Sequence, residues 1–407
     1  MKMTKMIIAT AVSLTGFLLA ATVDNGLLPE SKAVKLVLEE NLRFGGELDD
    51  ENSLWVGVNT SISVDGKGNI YIADTKESRV LEFDGQGEFI RQVAGPGLGP
   101  GEFQNLLTFT ILADGSAVGH QALGPQVAIK YFDAAMQPGD VITPNFSQLL
   151  PQAILPNPTG NLFEGFLLTL DPVNNRMGFI FGVMDKELKL VHEVAKKERG
   201  TPDIQRFGES EYWVEYLAEN FTLIGSKNGH MAFDNKGAIY TARSDRYEVV
   251  KWSPNFQEKA LVVNKKYKPL PNTEADIQGL IEPVRANIVE NLPPNFQQII
   301  TANVVRRAVE KADFPPVKEP INGIIPLESG GFLVVRDNNL TDKNAYVDIF
   351  SAEGHFQGEG VIPGVARVNF DLNPFVTFKH GYLYTVIENE SGDMQVVRYT
   401  PKFQAVP

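Results

Sequence analysis

Residues 62–93 read ISVDGKGNIYIADTKESRVLEFDGQGEFIRQV, and their patterning decides the fold. Ile62 and Val64 run into Asp65-Gly66-Lys67-Gly68. Ile70 and Ile72 resume the alternation, with Tyr71 on the opposite face. Val80, Glu82 and Phe83 lead to a second turn, Asp84-Gly85-Gln86-Gly87, and Phe89, Arg91 and Val93 close the unit. Apolar residues at every second position belong to extended chain, and Asp/Gly-rich turns between such runs make antiparallel hairpins. Four strands within about 35 residues make one propeller blade.

The signature recurs along the chain. FTILADGSAV (109–118) is followed by YFDAAMQPGDVI, and AILPNPTGNLF (153–163) by FIFGVMDKELKLVHEV. MAFDNKGAIYTARSDRYEVVKWSPNFQEKALVV spans 231–263. IIPLESGGFLVV (324–335) precedes VDIFSAEGHFQGEGV, and VTFKHGYLYTVIENESGDMQVVRY spans 376–399. A self-similar array of this kind is read before anything else, because it sets the architecture. The expected fold is all-β: a six-bladed β-propeller of four-stranded antiparallel blades, with a helical insertion between blades 4 and 5.

The first unit also carries a family pattern. GNIYIAD, SRVLEF and GPGLGPGEF resemble an NHL repeat: a Gly-Asn-hydrophobic-Tyr-Val-Ala-Asp core, an Arg-hydrophobic-x-x-Phe strand and a Gly-x-Gly-Pro-Gly-x-Phe link. The chain is thus similar to the NHL-type propellers of the TolB-like six-bladed superfamily. The match is close in the first unit and moderate in the fourth, where Arg243 stands in the place of Asp74; the remaining units share spacing more than letters. The resemblance implies a fold, not an activity. It brings zinc-dependent lyases and calcium-dependent lactonases into consideration, because such propellers place ligands from several blades around the central channel.

Bulk properties narrow the class. The chain has 407 residues, 43% hydrophobic, with a net charge of −13 and no cysteine. No run of Lys and Arg offers the basic patch that nucleic acid or an anionic membrane surface requires. Lys2 and Lys5 precede an apolar stretch from Ile7 to Ala21, with small residues Ala20, Ala21 and Thr22 before Asp24, so residues 1–21 read as a signal peptide. The expectation is a periplasmic or secreted protein, one propeller domain over 22–407, with no membrane span after signal cleavage. Without disulfides, an exported chain relies on its core. The sixth unit ends at TPKFQAVP without an outer strand, and AVKLVLE at 33–39 is the segment able to supply it and close the ring.

Strand order fixes two faces. Turns joining the first to the second strand of a blade, and the third to the fourth, share one rim. They are short and rich in Asp, Asn and Gly: DGKG, DGQG, DNKG, ESGG and AEG. Both long insertions fall between blades, on the opposite rim. The first, 196–226, carries Tyr212, Trp213, Tyr216 and Phe221; the second, 266–319, has Ile277, Leu280, Ile281, Val284 and Ile288 at helical spacing, then Phe296, Ile300 and Val304. Insertions confined to one face build or cover a binding surface.

On that loop-rich rim the candidate ligand-binding residues are Asp74, His120, His230, Arg243, Arg336 and Glu388. Asp74 with Arg79 also suits a purely structural part in its own loop. Arg243 and Arg336 suit an anionic ligand or a partner's carboxylates. His120, His192, His230, His355 and His380 are dispersed, whereas a catalytic zinc takes three protein ligands. No Asp-x-Asp-x-Asp-Gly loop marks calcium, no Gly-x-Ser-x-Gly elbow marks a nucleophile, and no catalytic residue, cofactor or metal ligand is assigned. The favoured reading is an exported, non-enzymatic propeller binding a protein or small anionic ligand on its loop-rich face. The alternative is a metal-dependent hydrolase, lactonase or lyase acting at the central channel.

Overall fold

The computed structural model describes residues 20–45, 61–121, 127–144, 150–171, 173–224, 229–243, 245–279, 281–282, 294–336, 344–364, 376–390 and 394–406. Most of the signal segment, together with Leu280, Val284 and Ile288, lies outside them.

Two strands precede the blades: β1 (Ala21–Asn25) and β2 (Val34–Phe44). Blade 1 is β3 (Ile62–Val64), β4 (Ile70–Asp74), β5 (Arg79–Phe83) and β6 (Phe89–Pro96), with the short β7 (Glu102–Phe103) parallel to the end of β6. Blade 2 is β8 (Leu106–Ile111), β9 (Ala117–Gln121), β10 (Ala128–Phe132) and β11 (Pro138–Ile142). Blade 3 has the long strands β12 (Leu150–Pro156), β13 (Leu162–Asp171), β14 (Arg176–Asp185) and β15 (Leu190–Gly200). Blade 4 is β16 (Gly229–Phe233), β17 (Ile239–Arg243), β18 (Glu248–Trp252) and β19 (Lys259–Lys265). Blade 5 is β20 (Gly323–Pro326), β21 (Phe332–Val335), β22 (Ala345–Phe350) and β23 (Phe356–Ile362). The last unit is β24 (Val376–Lys379), β25 (Tyr382–Glu388) and β26 (Met394–Ala405).

The turns follow from their residues. Asp65 Oδ1 accepts the backbone N–H groups of Lys67 and Asn69, and Gly68 takes a φ of +93°. Asp84, Asp133, Asp185 and Asp234 repeat the arrangement. A short acceptor side chain beside a left-handed residue is what a tight hairpin requires.

Alternation along each strand builds the ring. In β4, Ile70 and Ile72 pack with Tyr384, Val386 and Val396 of the last blade, while Tyr71 and Ala73 pack with Phe103 of β7 and with Phe109 and Phe132 of blade 2. Equivalent clusters fill the junctions between blades 2 and 3, 3 and 4, 4 and 5, and 5 and 6. Each blade is therefore apolar on both faces, and the sandwiched cores run round a closed circle.

The N-terminal strands fasten that circle. β2 pairs antiparallel with β26 along its length, from Val34 opposite Ala405 to Phe44 opposite Val396, and Val34 and Lys35 also lie parallel to β23 of blade 5. β26 runs on through Thr400-Pro401 to Ala405, and its partner arrives from the other end of the chain. β1, which the sequence does not mark, lies parallel to β19 as a fifth strand on blade 4. Its last residue, Asn25, is buried: Nδ2 donates to the carbonyls of Asn264 and Gly354, and Oδ1 accepts the Phe356 N–H at 2.7 Å. One side chain thus ties blade 4 to blade 5.

Helices occupy the two long links. α1 (Ser210–Ile224) joins blade 3 to blade 4. A helical stretch at 274–279, then α2 (Pro294–Gln297) and α3 (Ala302–Lys311), lie between blades 4 and 5. β15 continues to Gly200, so the first link starts later than residue 196. Phe296 and Val304 fall on separate helices, with Ile300 between them. Among the described residues no helix is long and apolar enough to cross a membrane.

Candidate functional site

The ring offers two places for a site: the loop-rich rim with its helices, and the channel within the ring of first strands.

Of the six residues singled out from sequence for the loop-rich rim, the five whose side chains the structure describes are each buried or ion-paired within their own blades. Asp74 ends β4 fully buried; Arg79 Nε donates to its Oδ2 at 2.9 Å and Glu77 N–H to its Oδ1, so it holds its own loop. His120, in β9 between Thr108 and Ile129, is fully buried with neither ring nitrogen hydrogen-bonded, and burial pulls its pKa down to about 3. It is a neutral imidazole buried within the sheet, next to the last residue of β9. His230 is likewise fully buried, in β16 opposite Ala242. Arg243 folds onto Asp245, with Nη2 at 2.8 Å from Oδ2. Arg336 Nη1 donates to Glu359 Oε1 at 3.2 Å, and its Nε lies 3.4 Å from Asp348 Oδ1. Both guanidinium groups therefore already have carboxylate partners. Glu388 ends β25 opposite Met394, and its side chain lies outside the described residues. Among the described residues no three His, Asp or Glu side chains converge where a metal could sit.

The loop-rich rim does carry a built surface. Tyr212, Trp213, Leu217 and Phe221 of α1 bury against Ile300, Val304, Val305 and Ala308 of the second insertion, together with Ile281. The helices thus share a core of their own. Trp213 Nε1 donates to the Phe207 carbonyl at 2.8 Å, and Arg307 donates two hydrogen bonds to the Glu211 carboxylate. The cap is braced on blade 3: Arg199 of β15 hydrogen-bonds Asn220 and lies over the Tyr216 ring. Its neck is narrow. Lys318 N–H donates to the Leu270 carbonyl and Asn272 N–H to that of Pro316. Thr273 caps the first helical turn in a box with Asp276, whose other oxygen accepts Lys318 Nζ at 2.6 Å. Burial opposes ionisation of Asp276, but the hydrogen bonds from Lys318 and Thr273 outweigh it and hold its pKa at about 2.

At the opposite, tight-turn end, inner strands and turns of all six blades line a half-open cavity of about 170 Å³. Ser61 and Ser63 line it from blade 1, Thr110 from blade 2, Glu164 from blade 3, Asp234 and Asn235 from blade 4, Leu327 from blade 5 and Thr377 from blade 6. None of the six rim residues lines it. Glu164, in β13 opposite Leu155 and Val183, is 2% exposed; its Oε2 has no hydrogen-bond partner, and desolvation pushes its pKa up to about 8. Around this end the turns are clasped to each other. Glu328 accepts the N–H groups of His380 and Gly381 and the Asn235 amide, while His380 Nε2 meets the Asp65 carbonyl at 2.7 Å. The sequence marks these turns only as tight; the clasps between them depend on which blades adjoin.

Comparison with known proteins agrees with this geometry. A family model, DUF5128, described as a 6-bladed beta-propeller, matches residues 52–120. The chain is a six-bladed β-propeller. A solved member of the DUF4221 family from Bacteroides vulgatus superposes with a TM-score of 0.51 at 11% identity, over 92% of this chain and 99% of that one. A Bacteroides fragilis protein described as a candidate exported protein gives 0.48 at 11% identity, over 94% and 100%. Virginiamycin B lyase from Staphylococcus aureus gives 0.39 at 10%, over 90% and 99%. At such identities the likeness concerns the fold alone. No curated protein matches the chain.

Proposed function

We propose that this propeller is an exported, non-enzymatic binding protein that recognises a protein partner through the helical cap on its loop-rich rim. One observation carries the reading. Two insertions from different links fold onto each other into one helical unit with its own core, the second joined to the ring by a narrow neck and the first braced on blade 3. The ring has complete cores between its blades without the cap, so the cap is an addition to the scaffold and not a part of it. Of the two partner classes considered from sequence, a small anion is the less well supported, since Arg243 and Arg336 are each engaged by carboxylates. A protein partner needs no free guanidinium group; it needs a shaped surface with a polar rim, and the cap is edged by the exposed ion pairs of Arg206 with Glu209 and Glu215, Arg306 with Glu310 and Lys311 with Glu215.

The test is site-specific photo-crosslinking in the exporting cell. A photoreactive residue is placed at exposed cap positions Glu219 and Lys311, and at Gln86 on the tight-turn rim. A discrete adduct from the cap positions but not from Gln86 supports the reading; adducts from Gln86 alone, or from no position, overturn it. The enzymatic alternative, a metal-dependent hydrolase, lactonase or lyase, requires tightly bound metal in protein purified from its host, which elemental analysis detects.

A further inference from the structure

Six carboxyl side chains are buried among the described residues: Asp74, Glu82, Glu164, Asp234, Asp276 and Asp348. Five face a cation within 4 Å. Asp74 has Arg79, Glu82 has Arg91, Asp234 has Lys251, Asp276 has Lys318, and Asp348 has both Lys265 and Arg336. Glu164 has none, and one of its oxygens lacks even a hydrogen bond. A buried carboxyl without a partner costs several kcal/mol of solvation. This one lines a cavity whose walls include a second carboxylate and no Lys, Arg or His. The missing partner is therefore a positive charge brought from outside.

The walls restrict which cation fits. Leu155, Phe233, Pro326 and Phe378, each partly exposed, supply hydrocarbon, and Asp234 is committed to its own turn and to Lys251. A hard metal ion takes six to eight oxygen ligands; with the Ser61 and Ser63 hydroxyls engaged by the Phe109 and Ile111 backbone, the lining leaves one available carboxylate with Thr110, Asn235 and Thr377, too few for such a shell. The volume, about 170 Å³, falls below the several hundred Å³ of sites for drug-sized ligands. We propose that the cavity takes a small organic ammonium ion, its charge seated on the Glu164 carboxylate and its hydrocarbon against Leu155, Pro326 and Phe378. The inference is independent of the cap and of any partner bound there. It also fixes the proton inventory. With its pKa raised to about 8, Glu164 is largely protonated at pH 7 in the free protein. The incoming ammonium keeps its three N–H protons, and the carboxyl releases its one proton to solvent.

Titration calorimetry on the full chain, with propylammonium chloride at pH 7 in two buffers of different ionisation enthalpy, tests this. Propan-1-ol serves as the neutral isostere and calcium chloride as the metal arm. The expected result is saturable binding of propylammonium with close to one proton released, tighter at pH 9 than at pH 6, and no binding of propan-1-ol or calcium. Glu164→Gln is expected to fold, to weaken binding at least tenfold and to abolish the proton release. Equal binding of propan-1-ol, binding of calcium in place of the amine, unchanged affinity in Glu164→Gln, or no binding of propylammonium would each overturn the proposal. If the variant does not fold, the pH dependence and proton release of the unaltered protein decide.

Discussion

At the scale of single residues, Glu164 makes stability depend on pH. Its folded pKa of about 8 stands above the ordinary value of about 4.3 expected in the unfolded chain. Below roughly pH 4 both states are protonated and burial costs little. Between there and pH 8 the unfolded chain ionises while the native one does not, so the native state loses ground at up to ~1.4 kcal/mol per pH unit, and the loss levels off above 8. In the absence of amines, Glu164→Gln should therefore melt close to the parent at pH 4.5 and higher than it at pH 8.5, by a few kcal/mol of stability. Parallel melting profiles across that range would show the carboxyl to be solvated. The residue was open to detection in the sequence, as the lone acid in the otherwise apolar run LFEGFLLTL at 162–170. The pairing of Arg336 was not, because Asp348 and Glu359 stand 12 and 23 residues further on and meet it only once blade 5 has folded.

At the scale of elements, the cap and its neck answer to acid in the opposite sense. Asp276 has a folded pKa of about 2, below the ordinary carboxylate value near 3.9. Its contribution is present above pH 4 and is lost as pH falls towards 2. Removing its charge leaves Lys318 buried beside a neutral group, which costs on the order of 3 kcal/mol. Asp276→Asn should loosen residues 273–318 at neutral pH while the blades stay closed. Hydrogen exchange faster in α3 than in β19 and β20 is the expected pattern; uniform acceleration would mean that cap and ring unfold together. The blades themselves were legible because a period of two and Asp/Gly turns are local signals. α1 was legible only as a cluster of aromatics, since its burial depends on α3, about ninety residues away and paired with it through Glu211 and Arg307.

At the scale of the molecule, closure rests on β2 fitting between blades 5 and 6. Two glycines of β23 make room for it. A Cβ on Gly358, whose φ is +155°, would stand 1.8 Å from the Val34 carbonyl oxygen, and one on Gly360 would stand 2.5 Å from the Leu36 Cβ. The Val34 clash is with backbone and cannot be relieved by a rotamer change. Gly358→Val should displace β2 and expose the edge of β26, an invitation to pair with another chain. Size-exclusion chromatography is expected to show dimers or larger species, and limited proteolysis to cut near residue 30 first. A monomer with unchanged proteolysis would show that the strap tolerates the intrusion. From the sequence, residues 33–39 read as a closing strand because β26 lacked a neighbour; β1 did not, since ATVDN carries no alternation strong enough to announce a strand.

The same strap also sets the order in which the protein can fold. Val34 pairs with Ala405, so the ring's last seam joins almost the earliest described residues to almost the latest. Blades 1 to 5 can gather as they become available, each on its neighbour, but the circle stays open until the whole length of chain is present. Such a seam gives the topology a high contact order and a slow final step.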